Sequence, residues 1–275
     1  MQADLHVHSV YSDGLYSPDE ICRLASRRGL SLISITDHDT LSGLSKKREA
    51  AKKYGLSYLS GWEVSAYENT LKVHVLGYGC KEQGAYECFV RTRKAASFVR
   101  AEESVQKFNA LGIPLTMENV LSQRASAELP VHTMHIARAA AKYLGWKEGD
   151  VYREYLAVGK PANSNYGRPT PMEAIDCIHE AGGIAVIAHP GRLEVEDSGK
   201  EILIKRLAEY GADGIEAVYT THTERETKYF CELAKALGIL ITGGSDTHYE
   251  DGVRAIGTPY FSPSKEFLEK VKISL

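Results

Sequence analysis

The sequence predicts an α/β fold in which the strands form a parallel barrel, with a helical insertion in the chain. Short apolar runs alternate with amphipathic helical patterns near both ends of the 275 residues, as in proteins built from repeated strand–helix units. The strand signal fades between residues 84 and 166, which indicates the insertion. No Gly-x-Gly-x-x-Gly follows the first strand, so a dinucleotide-binding open sheet is disfavoured.

The N-terminal part is predicted to alternate strand and helix as far as residue 78. Ser17 is expected to cap the first helix, because Glu20 lies three residues later and completes a capping box. Pro18 suits the first helical position, and Gly29 ends the helix. Strands are predicted at 4–8, 30–36, 58–64 and 72–78, and a second helix runs from a cap at Asp39 or Thr40 to Lys53.

The insertion is assigned to residues 100–165, and residues 1–99 and 166–275 are assigned to the barrel domain. Helical patterns cover 85–111, 117–123, 133–143 and 148–156. The strand–helix alternation then resumes with strands at 183–188, 213–219, 238–242 and 256–261. Helices are predicted at 171–181, 200–210, 224–237 and after Ser264.

Composition and charge exclude several classes of protein. The formal net charge is −3, so no broad basic field exists for an extended nucleic-acid surface. Five scattered cysteines without a Cys-x-x-Cys pair indicate reduced thiols in a cytoplasmic protein. The N-terminus lacks a signal-peptide pattern and no apolar run could cross a bilayer, so we expect a cytoplasmic protein without a membrane partner.

The first strand carries the strongest chemical signal. Residues two apart in a strand project to the same face, so His6 and His8 point together. Two adjacent imidazoles suit a shared metal ion. Asp13 follows, and Gly14 permits a tight turn that brings its carboxylate back over the strand end.

Further histidines and carboxylates occur at or near the other predicted strands. In a parallel barrel the carboxyl ends of the strands form one face, where active sites lie. Residues far apart in sequence would therefore meet there. The remaining candidates are His38, Glu63, His74, His189, Asp246 and His248.

Nine candidate ligands exceed the needs of one metal ion, because a single catalytic zinc usually takes three protein ligands. They fit two or three divalent ions, and mixed nitrogen and oxygen ligands suit Mn, Fe or Zn. Clustered divalent ions generate hydroxide at neutral pH and hold both oxygens of an in-line displacement. The nine residues therefore predict phosphoester hydrolysis and are the candidate catalytic group.

These motifs resemble the PHP (polymerase and histidinol phosphatase) superfamily, and within it the stand-alone YciV/TrpH-like metal-dependent phosphoesterases. The resemblance covers nearly the whole chain. It implies a distorted seven-stranded β/α barrel, similar to a TIM barrel, with a trinuclear site. It further implies that one metal is bound by His6, His8, Glu63 and Asp246, a second by Glu63, His74 and His189, and a third by Asp13, His38 and His248.

The resemblance also implies the substrate class. Members of the subgroup remove phosphate from nucleoside 3′,5′-bisphosphates or trim short oligonucleotides, so a small phosphorylated nucleotide or short oligonucleotide is the expected partner. The insertion is predicted to be a lid over the site. Phosphate contacts are predicted at Arg138, Lys160 and Arg192 and, as further candidates, at His135 and His222, because Arg and Lys bind phosphate.

Three alternatives remain open from the sequence. A histidinol-phosphatase-type phosphomonoesterase shares the same metal site. An amidohydrolase also uses His-x-His in a barrel, but usually with a bridging lysine. A non-catalytic metal-binding regulatory module would keep the ligands without turnover. Monoester and diester substrates, the identity of the metal and the oligomeric state also remain open.

Overall fold

A computed structural model describes residues 1–82 and 84–273, which form a mixed α/β fold. The last two residues of the predicted barrel domain lie outside the described range. The strands are β1 (Ala3–Val7), β2 (Leu32–Ile35), β3 (Ser57–Tyr58), β4 (Gly61–Glu68), β5 (Leu71–Tyr78), β6 (Ile184–Ile187), β7 (Gly214–Tyr219) and β8 (Leu240–Gly244). The helices are α1 (Pro18–Arg27), α2 (Leu44–Lys53), α3 (Ala85–Ala110), α4 (Met117–Leu121), α5 (Thr133–Leu144), α6 (Glu148–Val151), α7 (Pro171–Glu180), α8 (Asp197–Tyr210), α9 (Glu224–Leu237) and α10 (Lys265–Lys270).

The strands form two sheets, with the orders β1-β2-β3 and β4-β5-β6-β7-β8. Most neighbours are parallel, but β5 runs antiparallel to both β4 and β6. The prediction of a wholly parallel sheet is therefore wrong at β5. The reason is the short connection, because two residues between β4 and β5 are far too few for a parallel crossover. Asn69 turns this hairpin with φ 56°.

Hydrogen bonds join the two sheets at both edges. On one side, Asp39 N donates to Glu63 O at 2.8 Å and Glu63 N donates to Asp37 O at 3.2 Å. On the other side, His8 N donates to Thr247 O at 3.0 Å. The end of β2 is thereby tied to β4, and β1 is tied to the segment after β8.

The predicted helix starts are confirmed at two places and wrong at a third. Ser17 caps α1 through a capping box with Glu20, and Thr170 caps α7 in the same way. Helix α2 instead begins after Gly43, because the carboxylate of Asp39 is used elsewhere, as described below. The predicted strand at 256–261 is absent from the described residues and is reduced to one bridge between Ala3 and Phe261.

The helical segment from α3 to the turn before α7 has a hydrophobic core of its own. This cluster is separate from the clusters packed on the two sheets. It is built from α3, α4, α5, α6 and the π-helical turn that follows (Tyr152–Leu156). Its largest buried members include Phe108, Leu115, Val120, Ile136, Val151 and Leu156.

Within the described part of the chain, none of the helices combines the length and the apolar character that a membrane crossing requires.

Candidate metal centre

The nine candidate ligands meet at one end of the strands. Seven of them are almost completely buried, while the side chains of His38 and His248 are 12% and 24% exposed. Strand β1 contributes His6, His8 follows directly after the strand, and the loop beyond contributes Asp13. The structure thus brings together all nine predicted residues: His6, His8, Asp13, His38, Glu63, His74, His189, Asp246 and His248.

Glu63 lies at the centre of the group, near the start of β4. Its Oε1 atom is 2.6 Å from His74 Nδ1 and 2.9 Å from His189 Nε2. Its Oε2 atom faces three other imidazoles, His6 Nε2 at 3.3 Å, His8 Nε2 at 3.1 Å and His38 Nδ1 at 3.0 Å. One carboxylate therefore faces two sets of nitrogens, the arrangement expected of a bridging ligand.

Two further carboxylates complete the groups. Asp246 Oδ1 is 3.2 Å from His8 Nε2 and 3.5 Å from His6 Nε2. Asp13 lies on the opposite side of His8, with Oδ1 3.3 Å from His248 Nε2 and Oδ2 4.0 Å from His38 Nε2. Three sets have ligand atoms close enough together to surround one ion: His6, His8, Glu63 and Asp246; His38, Glu63 and His74; and His8, Asp13, His38 and His248.

The unsatisfied polar atoms of the site test whether cations fit. His8 Nδ1, Asp13 Oδ1, Glu63 Oε2 and His74 Nε2 are buried without a hydrogen-bond partner among the described residues. Burying polar and charged groups in this way costs several kcal/mol each, on the order of magnitude seen for unpaired buried ions. Bound divalent cations would remove that cost, so the donor set fits them.

The carboxylates favour positive charge on His6 and His8, whereas burial outweighs them at His38 and His74 and lowers the pKa of both. Burial alone lowers the pKa of His8, but Asp246 and Glu63 outweigh it and raise the pKa to about 9. Burial raises the pKa of Asp246, yet His6 and His8 hold it well below its usual range. At neutral pH the site therefore attracts a cation, a proton when no metal is bound and a metal ion in exchange for it.

Two ligands have unusual backbone conformations. His189 has φ 28° and Asp246 has φ 53°, in the left-handed region that non-glycine residues rarely adopt. Such strain occurs at functional sites and persists only where the surroundings hold it. The backbone N–H of Asp246 is held by a 2.7 Å hydrogen bond to His6 O.

The loop that carries Asp13 is fixed from below by a buried ion pair. Asp37 accepts hydrogen bonds from Ser9 N at 2.8 Å and Ser12 Oγ at 2.6 Å, and its other partner is Lys47 Nζ at 2.6 Å. A Cβ atom on Gly14 would lie 2.3 Å from His8 O, so this turn requires glycine. Sequence analysis did not identify Lys47, whose mid-helix position gave no signal.

A cavity of about 220 Å³ opens above the candidate ligands. Two predicted phosphate contacts, Arg138 and Arg192, line it. Both already have partners, since Arg138 Nη2 donates to Asp13 O at 2.7 Å and Arg192 Nη1 donates to Asp246 Oδ2 at 2.9 Å. Sequence analysis did not select the other lining residues, among them Lys72, His132, Arg168, Tyr249 and Arg254.

The other three predicted phosphate contacts lie outside the cavity lining. Lys160 is exposed in its loop. His135 is buried, and its Nδ1 accepts a hydrogen bond from His132 N at 3.1 Å. His222 accepts from Gly191 N at 3.0 Å through Nε2, so it supports the short 3₁₀ turn, Pro190–Arg192, which positions Arg192. The sequence could not tell the exposed loop residue, the buried residue and the residue that supports a turn apart, because all three are polar and close in sequence to loops.

Strand β7 carries none of the nine ligands, yet two of its side chains contact them. Glu216 is fully buried beside His6, and Tyr219 contacts Asp246. Sequence analysis did not identify either residue. The available signal was a single acid within the apolar strand Gly-Ile-Glu-Ala-Val-Tyr, since a buried carboxylate needs a partner.

The sequence model of the PHP domain family matches residues 4–141. Three curated relatives align with almost the whole chain. A 5′-3′ exoribonuclease of Haemophilus influenzae is 31% identical, over 92% of this chain and 92% of the relative. A phosphoribosyl 1,2-cyclic phosphate 1,2-diphosphodiesterase of Eggerthella lenta is 33% identical, over 92% and 96% respectively. A 3′,5′-nucleoside bisphosphate phosphatase of Chromobacterium violaceum is 32% identical, over 92% and 90%.

A solved structure from Chromobacterium violaceum has the same fold. Its TM-score against this chain is 0.88 at 28% identity, and the alignment covers 99% of this chain and 96% of that one. It is described as an amidohydrolase with bound sulfate and no metal.

Proposed function

Because the chain belongs to the PHP domain family, we propose that it is a metal-dependent phosphoesterase that hydrolyses phosphate esters of nucleotides. The candidate substrates are nucleoside 3′,5′-bisphosphates, mononucleotides and short oligonucleotides. The observation that carries the proposal is the convergence on Glu63 of imidazoles and carboxylates from distant parts of the chain, beneath a cavity with cationic walls. The named activities of the three relatives, all on phosphate esters, agree with it.

We assign two or three divalent ions, Mn, Fe or Zn, to the site. His6, His8, Glu63 and Asp246 would hold one, and Glu63 would share a second with His74 and His189. A third ion would lie between Asp13, His38 and His248. When bound, such ions lower the pKa of water and neutralise charge on phosphate oxygens.

The scaffold of this site is best described as a distorted (β/α)₇ barrel. Seven strands, all except the two-residue β3, would form the ring, with the β4–β5 hairpin as its irregular part. The hydrogen bonds that tie β2 to β4 and β1 to the end of β8 support this description.

The helical residues 100–165 are proposed to act as the lid of this barrel. They possess a separate hydrophobic core, and the barrel would then comprise residues 1–99 and 166–275. Arg138 reaches from the lid to the carbonyl of Asp13. Through this hydrogen bond the lid would contact the loop that carries Asp13, a proposed metal ligand.

The cavity walls are proposed to bind the substrate through its phosphates. Arg192 and Arg254 flank Asp246, with Arg254 Nε 3.8 Å from Asp246 Oδ2. On the lid side, Arg168 Nε and His132 Nε2 are buried without a hydrogen-bond partner among the described residues. Both of these atoms belong to cavity-lining side chains, so they would be available to phosphate oxygens.

The lid contributes a second feature that favours anions. His132 is the N-cap of α5, so the first N–H groups of this helix lie at the cavity lining formed by Thr133 and Met134. These groups have no intrahelical partner, and the helix dipole is positive at that end. Together with Arg168 they would hold a phosphate that is not hydrolysed.

Specific observations weigh against the alternatives. An amidohydrolase with a bridging lysine would need that lysine between the ions, whereas the carboxylate of Glu63 takes the central position here. A non-catalytic module would not need unpaired polar groups aimed into a cavity. A histidinol phosphatase would differ in the residues that cover the metals. Measuring substrate preference tests this alternative.

The deciding experiment is an assay of metal-reconstituted protein against a panel of phosphate esters. The panel contains nucleoside 3′,5′-bisphosphates, mononucleotides, short oligonucleotides, a cyclic phosphodiester and histidinol phosphate. We expect release of phosphate or mononucleotide from nucleotide substrates and little turnover of histidinol phosphate. Asp246→Ala is the matched control. Absence of turnover on every ester, including p-nitrophenyl phosphate, would favour the non-catalytic alternative.

A further inference from the structure

Strand β7 has an irregularity that aims two side chains at the metal centre. Glu216 pairs with Thr242, whereas Val218 pairs with Gly243, so β7 has one extra residue at this point. In a regular strand, residues three apart would face opposite sides of the sheet. The bulge turns both Glu216 and Tyr219 toward the candidate ligands, a common use of bulges beside active sites.

The glycines opposite the bulge make room for it. A Cβ atom on Gly243 would lie 2.8 Å from the Cβ of Val218. A Cβ atom on Gly244 would lie 2.3 Å from the Cβ of His6. Strand β8 can therefore bring β1 and β7 close together only because both residues are glycine.

Glu216 contacts two of the candidate ligand residues. Its Oε1 lies 2.9 Å and its Oε2 3.1 Å from His6 Nδ1, and Oε2 also accepts a hydrogen bond from the backbone N–H of His189 at 2.9 Å. The contact to His6 is made by the nitrogen that faces away from the other ligands. If His6 donates from Nδ1, the lone pair on Nε2 is free for a metal ion. The contact to His189 holds a residue with φ 28°.

Tyr219 and Arg192 act together on Asp246. The hydroxyl of Tyr219 donates to Asp246 Oδ2 at 2.6 Å, and Arg192 Nη1 donates to the same oxygen at 2.9 Å. This leaves Oδ1 facing His6 and His8. The carboxylate is thereby oriented to offer one oxygen to the metal.

We propose that β7 is a positioning strand that selects the metal-binding tautomer of His6 and the single-oxygen binding mode of Asp246. It acts directly on the two groups centred on Glu63. It reaches the group of Asp13, His38 and His248 only through Asp246, whose Oδ1 lies 3.6 Å from His248 Nδ1, so that group should be affected less. This inference depends only on the metal-binding part of the proposed function. Glu216 and Tyr219 are positioning residues and do not touch the reacting atoms.

Glu216→Gln provides the sharpest test, because the two N–H groups that Glu216 accepts are not equivalent. The backbone N–H of His189 can only donate, so the amide oxygen must face it. The amide NH₂ then takes the place of Oε1, the oxygen nearer to His6 Nδ1, and favours the tautomer with the proton on Nε2, which blocks the metal. We expect ¹⁵N NMR of the metal-free variant, recorded at a pH at which the His6 imidazole is neutral, to show His6 protonated at Nε2, where the parent protein shows Nδ1.

Metal occupancy at each group supplies the second readout. Crystals of each variant, soaked in Mn²⁺, would be measured by anomalous scattering. We expect Glu216→Gln to lose affinity about 10–100-fold at the two Glu63-centred groups, the usual effect of removing a ligand's partner. Tyr219→Phe should weaken only the group of His6, His8, Glu63 and Asp246. Tyr78→Phe is the matched control, since its buried hydroxyl donates to Leu5 O at 2.9 Å and contacts no ligand.

The inference is overturned if Glu216→Gln retains the parent tautomer and Mn²⁺ occupancy, or if the group of Asp13, His38 and His248 loses metal equally. If Glu216→Gln does not fold, unchanged occupancy in Tyr219→Phe overturns it. Failure of the proposed function looks different. A parent protein that binds Mn²⁺ at all groups but hydrolyses no phosphate ester would remove the activity and leave the positioning role intact.

Discussion

The cavity has two walls that are held in different ways. The strand wall carries ligands such as His6 and Glu63, which are 0% exposed and fixed by contacts on more than one side. The helical wall consists of lid residues such as Arg138 and His132 together with Arg168, which follows the lid in the chain. It meets the strand wall at a few polar contacts. Arg138 bonds the carbonyl of Asp13, and Arg168 Nη1 donates to Asp39 Oδ2 at 2.8 Å.

This difference indicates a division of labour. Metal binding requires positions accurate to a fraction of an ångström, which short buried strands provide. Substrate recognition tolerates longer and more adaptable side chains, and a lid with a separate core can vary without disturbing the metals. We therefore expect changes in the strand wall to remove catalysis and changes in the helical wall to alter substrate affinity.

The largest expected effect is in the strand wall. His8→Ala or Asp246→Ala should abolish hydrolysis, a loss greater than the ~10²-fold that mutation of a ligand's partner typically causes. Elemental analysis should show reduced metal content, while circular dichroism shows an intact fold. Unchanged turnover in either variant would contradict the assignment of the site.

The second prediction concerns pH, which should change metal binding at the strand wall but leave His132 in the helical wall neutral. In the metal-free protein the pKa of His8 is raised to about 9, so this residue must lose a proton when metal binds. Burial lowers the pKa of His6, but Glu216 and Glu63 raise it well above its usual value, so His6 must lose a proton as well. Affinity for Mn²⁺ should therefore rise by at least about tenfold per pH unit up to about pH 9. Burial lowers the pKa of His132 in the helical wall, so that residue stays neutral. Calorimetry in buffers of different ionisation enthalpy measures the protons released, and a pH-independent affinity would refute the linkage.

A smaller effect is expected in the helical wall. Arg168→Gln removes a charged hydrogen-bond donor from the cavity, an interaction of about 1.5–3 kcal/mol. KM for a nucleoside bisphosphate should rise about tenfold or more with little change in kcat, and metal content should stay the same. Arg153→Gln is the control, because Arg153 is an exposed helical arginine that pairs with Asp150. A loss confined to kcat would place Arg168 with the strand wall.

The smallest effect tests a residue outside both walls. Lys160 is exposed and lies outside the cavity lining, so Lys160→Ala should change kcat/KM by less than about twofold, as for most surface substitutions. The assay uses the same bisphosphate as for Arg168. A tenfold loss would mean that the lid closes on the substrate and brings this loop to it.

The direction of β5 is a feature of the fold that sequence analysis predicted wrongly. Alternation of strands and helices predicted a parallel arrangement, and the distance between 58–64 and 72–78 already excluded a helical crossover. Apart from the strand predicted at 256–261, the strand positions were nearly right, whereas the direction of β5 depended on where β4 ended. Element boundaries are set by pairing with neighbours, which local patterns do not contain.

The sequence by itself identified the candidate ligand residues and two of the helix caps, because His-x-His on a strand and Ser-Pro-x-Glu before a helix act within a few residues. Only the tertiary structure revealed Glu216 behind His6, Arg168 in the cavity and Lys160 outside it. These roles depend on the register between elements up to 210 residues apart. For Glu216, a shift of one residue in β7 would turn the side chain away from His6, since it exchanges the two faces of the strand.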